Sequence, residues 1–547
     1  MPPVADGPNT PGEPRGEQER FFSAAKRVAG LTMLSRVLGL LRDLILIPLG
    51  SPVIADAFWT AFGIPHLFRR LFGEGALSAA FIPVFTESAE TEGWDRARKV
   101  LGNAAGWLAT VLAGLVVVIE LGLLVWLAAA PGAPKTRLTL QYTLLMLPFT
   151  FFICMLALFS AALNSRGHFA YPAAAPILLN VGLIAAGWWI APALGRTDAE
   201  QLAIVGGTVV LCSVVQFVGG LLMLRRTHLA VRWTLRPLLG EIRQIARRMG
   251  PTVVPLGMMQ LCDLFARLIA LAFTRSASQT DLPLAPGVIR CHYAAGRLYQ
   301  LPLGVLAISL ATVVFPLLSR CAARRDEAAL RDVLNRALRL CLFLGIPAGV
   351  ALILLAEPTI AVFWQRRDFT ALDTARTAGM LRAYCVAMPA YFAVHILLRA
   401  FFALKDTRTP MFTSAGLAVL NVLLVFVGIF TPLRSAALGA ATAVASTLNA
   451  LILTWVLRRR LGRLGLRRVL GSAARVAVAT AAMGFAIGGI LASPLAGRAG
   501  LLPAVIAAVL AGGFVFLGAA RAVGCPELGI LLRRSGRNTE GDSATMS

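Results

Sequence analysis

Charged residues make up only 14% of this 547-residue chain, where a soluble protein would hold about 25%. That shortage excludes an ordinary soluble domain. Short segments of alternating polarity are missing as well, which excludes a transmembrane barrel. No GxxxxGK[ST] phosphate loop occurs, so the chain does not hydrolyse ATP itself. Its five histidines form neither an HExxH pair nor part of a Ser/His/Asp set. The eight cysteines (154, 212, 262, 291, 321, 341, 385 and 525) are scattered without CxxC or metal-ligand spacing, and read as small apolar packing residues. Residues 1–25 lack the apolar stretch of a signal peptide. Polar and rich in Pro and Gly, they read as a disordered cytoplasmic tail, as does 535–547, the end of a cytoplasmic tail at 523–547.

What the chain has in abundance is long apolar runs; 57% of it is hydrophobic. About fourteen runs approach the ~20 residues that span hydrocarbon as a helix. They centre on 27–49, 54–86 (long and interrupted), 100–130, 139–163, 172–195, 201–224, 250–274, 292–319, 338–363, 379–404, 410–430, 435–457, 472–492 and 501–522. The fold class is therefore an all-α polytopic membrane protein.

The net charge of +25 invites a nucleic-acid reading, which its distribution sets aside. Arg and Lys gather in alternate loops, at 87–99, 225–248, 320–339 and 458–475, while 131–137, 196–201, 431–435 and 493–499 carry one or two each. This asymmetry marks the rich loops as cytoplasmic, and an even number of spans puts both termini on that side. The same residues favour anionic lipid head groups.

The runs also repeat. Leu163-Asn164-Ser165 to Leu179-Asn180-Val181 aligns without gaps on Leu404-Lys405-Asp406 to Leu420-Asn421-Val422, an offset of 241 (404 less 163). A looser match relates Ile64-Pro65 and Phe81-Ile82-Pro83 to Leu301-Pro302 and Val314-Phe315-Pro316. Two six-helix lobes related by a parallel pseudo-repeat follow, with a site at their interface. The division is an N-lobe at 26–225, a basic linker at 226–249, a C-lobe at 250–458, and a basic loop with a terminal helix pair at 459–522.

Charges inside the runs are the functional signal, since each costs roughly 2.5–3.5 kcal/mol at bilayer depth even on lenient scales. At about 100° per residue, Ser35, Arg36, Gly39, Arg42 and Asp43 share an arc of about 120°. In the second run Pro65 is expected to break or kink the helix. Arg69 and Arg70 follow it, and Arg70 and Glu74 are spaced i,i+4, so they can satisfy each other. Asp56 has a second reading as the cap of its own span. Arg297 precedes Pro302, with head-group snorkelling as its alternative. Asp263 and Arg267, also i,i+4, are placed to neutralise one another. Asn180 and Asn421 read as inter-helix bonds more than as substrate ligands. Several converging guanidinium groups form a site for a delocalised anion, a phosphate or diphosphate, which they bind bidentately.

At these residues the chain resembles the MurJ/MviN family, the lipid II flippases of the multidrug/oligosaccharidyl-lipid/polysaccharide exporter superfamily. The matching stretches are Ser35-Arg-Val-Leu-Gly-Leu-Leu-Arg-Asp43, Ala55-Asp-Ala-Phe58, Ile64-Pro65, Phe68-Arg-Arg-Leu-Phe72, Glu74-Gly-Ala76 and Ala80-Phe-Ile-Pro83, then Arg297-Leu-Tyr-Gln-Leu-Pro-Leu-Gly304 and Lys405-Asp-Thr-Arg-Thr-Pro410. The resemblance covers about residues 25–522.

It implies a central cationic cavity in which Arg36, Arg42, Arg69 and Arg297 engage a diphosphate–sugar head group, with Asp43, Asp56 and Glu74 as supporting acids and Arg70 and Gln300 as secondary positions. A groove at the terminal pair would take the polyprenyl tail. The implied function is movement of lipid II from the inner to the outer leaflet of the cytoplasmic membrane, for cell wall synthesis, with cell-wall enzymes as further partners. The alternatives are another polyprenyl-diphosphate-linked oligosaccharide, or a non-transporting scaffold that would not need buried arginines. The drive would be a sodium ion or a proton together with the membrane potential. Sodium-binding members use an acid in the seventh span and an Asn/Asp pair four apart in the eleventh. Asp263 and Asn421 match that metal site, but Val425 stands where the second acid would be.

Overall fold

The computed structural model describes residues 15–69, 77–129, 133–235, 240–275, 279–493 and 500–532. Among them the chain is helical nearly throughout, and the nearest thing to a sheet is one isolated bridge between Thr274 and Leu284. In order, the helices are α1 (Arg15–Leu46), α2 (Pro52–Phe68), α3 (Leu77–Thr91), α4 (Trp94–Ala129), α5 (Pro134–Met146), α6 (Phe149–Ser165), α7 (Ala170–Ala185), α8 (Ala191–Leu194), α9 (Asp198–Arg226) and α10 (Gly240–Ala272). They continue with α11 (Val288–Pro302), α12 (Ile308–Ala323), α13 (Glu327–Leu354), α14 (Ala356–Trp364), α15 (Ala371–Val386), α16 (Met388–Ala403), α17 (Arg408–Gly428), α18 (Ala437–Leu461) and α19 (Leu466–Ala492), and end with Leu501–Ala522 and Pro526–Leu532. π-turns at Ala186–Ile190 and Leu303–Ala307 join α7 to α8 and α11 to α12.

Ten described stretches are long and apolar enough to cross a membrane, or eleven if α15 and α16, bent by 46°, count as one span. Where they are described, the fourteen predicted runs fall largely on helix, but three of them are not among those eleven. Arg36, Arg42 and Asp43 break the apolar composition of α1. The second run is divided between α2 and α3, and several α10 side chains lie outside the described residues.

Two local expectations change. Helix begins at Arg15, inside the segment read as a disordered tail, because EQERFFSAAK is rich in helix formers. Pro65 does not end its helix; α2 runs on to Phe68, as membrane helices do where neighbours accommodate a missing donor. The 523–547 segment opens on a short helix. In Pro526–Leu532, Glu527 is 1% exposed and accepts from Arg339 Nε at 2.6 Å and Ser472 Oγ at 2.8 Å.

By internal packing the described chain forms two compact units. The first holds the chain up to Leu46, Phe68–Ala130 and Tyr142–Val253; the second holds Ile47–Leu67, Pro131–Gln141 and everything from Val254 on. The first unit's core joins Phe81 and Phe85 of α3, Leu101 of α4 and Leu158 and Phe159 of α6. In the second, Phe343 of α13, Val476 and Met483 of α19, and Phe516 of the terminal pair form another apolar cluster. Segments 47–67 and 131–141, read from the sequence as N-lobe, pack with the second unit, for reasons found in their buried charges.

The turns of the proposed repeat are built alike. After α6, Gly167 (φ +76°) is left-handed and His168 N–H donates to Leu163 O; after α16, Lys405 (φ +60°) is left-handed and Asp406 N–H donates to Phe401 O. From Gly167 to Lys405 is 238 positions (405 less 167), not 241. Asn180 and Asn421 consequently sit at different distances beyond their turns. Asp406 also accepts from Thr409 N–H at 3.0 Å, Thr409 Oγ1 at 2.7 Å and Arg460 Nη1 at 2.5 Å. Partial burial opposes ionisation of Asp406, but the Thr409 bonds and Arg460 outweigh it and hold its carboxyl below the ordinary range. A depressed native pKa adds stability above the unfolded value, about 3.9, and loses it as pH falls through the native one. Asp406→Asn is thus expected to lower the thermal midpoint of the purified protein at pH 7, with the gap to wild type closing below about pH 4.

Candidate functional site

In the first unit, α1 packs on α7, and the polar stripe of α1 is tied to it. Arg42 is 8% exposed and Asp43 3%. The Arg42 guanidinium donates to Asp43 Oδ1 through Nε (3.0 Å) and Nη2 (2.7 Å), and to Asn180 Oδ1 through Nη1 (3.1 Å). Asn180 Nδ2 in turn donates to Ser35 O at 2.9 Å. A Cβ at Gly39 would meet Asn180 Nδ2 at 3.6 Å, an ordinary van der Waals contact. Three of the five guanidinium N–H groups are thereby engaged, and Asp43 and Asn180 fix the direction of the rest. Arg36, two turns earlier, is exposed. Arg69 follows α2 and is half-buried beside Phe68, whose carbonyl lies 3.7 Å from Cys154 Sγ. Arg70 and Glu74 lie outside the described residues.

The second unit carries the other predicted positions. Arg297 donates to Tyr293 OH and lies over that ring at 4.7 Å, while Tyr293 stacks on Trp59 at 3.9 Å. Gln300, one turn on, is exposed. Arg267 Nη2 donates to Asp263 Oδ2 at 2.7 Å, and Asn421 Nδ2 to Thr442 Oγ1 at 3.1 Å, bridging α17 and α18. Among the described residues no group of three His, Cys, Asp or Glu side chains is placed to hold a metal ion.

Asp56 is a helix cap, but not of its own helix. As the fifth residue of α2 it is past the turn whose N–H groups are free. Its carboxylate, 1% exposed, accepts from the backbone N–H of Gly287 (2.8 Å), Ile289 (2.9 Å) and Arg290 (3.0 Å), at the start of α11. An anion there meets both the unsatisfied amides and the positive end of the helix. Gly287 takes φ +92°, and a Cβ on it would stand 3.1 Å from Asp373 Oδ1.

Three charged residues around this cap escaped the sequence reading. Arg290, fully buried, donates to Gly50 O (2.8 Å), Asp368 O (3.0 Å) and Asp373 Oδ2 (3.0 Å). Asp373 completes a capping box with Thr370 at the start of α15. Lys135, 5% exposed, donates to the carbonyls of Ala272 and Thr274. Together they explain why 47–67 and 131–141 pack with the second unit. The Thr370-x-x-Asp373 box was legible as a helix start; nothing in the sequence paired Arg290 with it.

A nearly all-helical chain with ten or eleven described helices long and apolar enough to cross a membrane, and with buried, ion-paired arginines among them, is a polytopic membrane protein. Its residues 47–505 match the family model described as lipid II flippase MurJ. It is 32% identical over 454 residues to a lipid II flippase MurJ of Burkholderia cenocepacia, covering 80% of this chain and 84% of that one. It is 30% identical over 535 residues to a probable lipid II flippase MurJ of Bdellovibrio bacteriovorus, covering 95% and 98%. In fold it is similar to a lipid II flippase MurJ in an inward closed conformation, with TM-score 0.72 and 23% identity over 90% of this chain and 98% of that one. It is also similar to an inward-facing multidrug resistance MATE family transporter, with TM-score 0.64 and 16% identity over 81% and 99%. The chain belongs to the lipid II flippase MurJ family, a family of transporters and not of enzymes.

Asp56→Asn would turn one accepting oxygen into an NH2 group facing backbone donors. The expected loss is about 1–3 kcal/mol, read as a lower thermal midpoint of the purified protein. Substituting the exposed Gln300 by Ala is expected to change stability by no more than about 0.5 kcal/mol.

Proposed function

We propose that this protein moves lipid II from the inner to the outer leaflet of the cytoplasmic membrane by alternating access, with both termini in the cytoplasm. Family membership supports the substrate. The single observation that carries the chemistry is Arg42, a buried guanidinium held in one direction by Asp43 and Asn180. A positioned guanidinium recognises a diphosphate through paired N–H donors, which a mobile ammonium does not.

In this reading Arg36, Arg42, Arg69 and Arg297 engage the diphosphate–sugar head group while the polyprenyl tail stays in lipid beside the terminal helix pair. Asp43 keeps Arg42 in place when no head group is bound. The membrane potential supplies drive, about 2.3 kcal/mol for each elementary charge moved through 100 mV. The delivered lipid feeds peptidoglycan polymerisation, and wall-synthesis enzymes are the proposed protein partners.

Leaflet-resolved labelling of lipid II in cells depleted of this protein tests the substrate. Lipid II is expected to accumulate in the inner leaflet; accumulation of a different lipid-linked glycan would replace lipid II in the reading, and no accumulation would end it. Arg42→Ala is expected to cut translocation by about ten- to a hundred-fold, the range for losing a charge-assisted hydrogen-bonding group, with the protein still inserted in the membrane. Full activity of that variant would remove Arg42 from the site.

A further inference from the structure

Within the second unit, Asp263, Ser414, Asn421, Thr442, Ser446 and Asn449 line a cavity of about 200 Å³. It offers the neutral oxygens and the one carboxylate that a hard cation would use. Each of the strongest groups is already engaged. Asp263 Oδ2 accepts from Arg267 Nη2 at 2.7 Å; Asn421 Nδ2 donates to Thr442 Oγ1 at 3.1 Å, and Asn449 Nδ2 to Ser414 Oγ at 3.4 Å. Position 425, one turn beyond Asn421, is Val and 1% exposed, so α17 adds no second carboxylate.

Arg267 is also given room. Its guanidinium lies against Gly63 of α2, where a Cβ would stand 2.6 Å from Nη1. A side chain at 63 would have to displace the end of that guanidinium. Asp263 and Arg267 leave the cavity with no net charge from this pair, and an incoming inorganic cation would meet a guanidinium beside the carboxylate it needs.

We propose that Arg267, paired with the one carboxylate that lines this cavity, stands in place of an inorganic cation, so that transport by this protein proceeds without binding sodium. The proposal rests on the transport reading above and sharpens its energetics: the drive comes from the membrane potential acting on charges that the protein and substrate carry. Arg267 here is a positioning residue for Asp263, and the expected phenotype of its loss is a new ion dependence.

Binding of radiolabelled sodium to the purified protein tests this on the protein alone, so it does not depend on lipid II being the substrate. Wild type is expected to show no saturable binding. Arg267→Gln takes the guanidinium away from Asp263 and is expected to acquire saturable, sodium-selective binding. The double variant Asp263→Asn with Arg267→Gln removes both charges and is expected to lose it again, and Arg267→Lys is expected to remain silent. Saturable binding by wild type overturns the proposal, and so does an Arg267→Gln protein that binds no more than wild type. Should that variant not fold, wild type decides alone. Lipid II translocation in vesicles at a clamped potential is expected to be unchanged when sodium is replaced by choline, and its loss overturns the proposal.

Discussion

The Asp56 carboxylate on the first amides of α11 is the contact on which the second unit depends. It joins chain segments separated by more than two hundred residues through three backbone hydrogen bonds, and it does so where an apolar side chain would leave buried N–H groups unsatisfied. Arg290, Asp373 and Lys135 extend the same logic. Each satisfies backbone carbonyls or amides that irregular loops between helices expose. In a chain whose surroundings offer little water, these charges substitute for solvent.

The class of this fold was legible because it depends on a one-dimensional property. Apolar length marks helices able to cross a membrane regardless of how they pack. The α1 stripe was legible for the same reason, since Ser35, Arg36, Gly39, Arg42 and Asp43 follow helical spacing. The identity of Asn180 as the residue that holds Arg42 was half legible: a lone Asn in an apolar helix signals an inter-helix bond but does not name its partner. The long-range partners were not legible at all. Asp56 and Gly287, or Arg290 and Asp373, share no spacing that a single sequence exposes. The repeat taught a similar lesson. Residue identities suggested one offset, while the left-handed turns at Gly167 and Lys405 define another, because a turn is conserved in shape by backbone conformation and not by the side chains that happen to match.

Two kinds of arginine emerge from the two units. Arg42 is oriented by an acid and an amide that leave part of its fork available, an arrangement suited to an anion that arrives and departs. Arg290 is enclosed by carbonyls, a carboxylate and the Phe369 ring at 5.2 Å, with its role confined to the fold. Burial alone does not separate them; the type of partner does. Arg267 is a third case, neutralised by a neighbour on its own helix and accommodated by a glycine on another.

The π-turn at Leu303–Ala307 has a consequence for how α11 relates to α12. An i→i+5 turn inserts one residue relative to regular helix, which rotates everything beyond it by about 100°. Side chains of Arg297 and of α12 therefore do not share the faces that their numbering suggests, and a helical wheel drawn across Pro302 misassigns them. Deleting one residue there would yield a more regular rod whose far half presents a different side to its neighbours. Local regularity and correct facing are opposed at this point, and the chain keeps the facing.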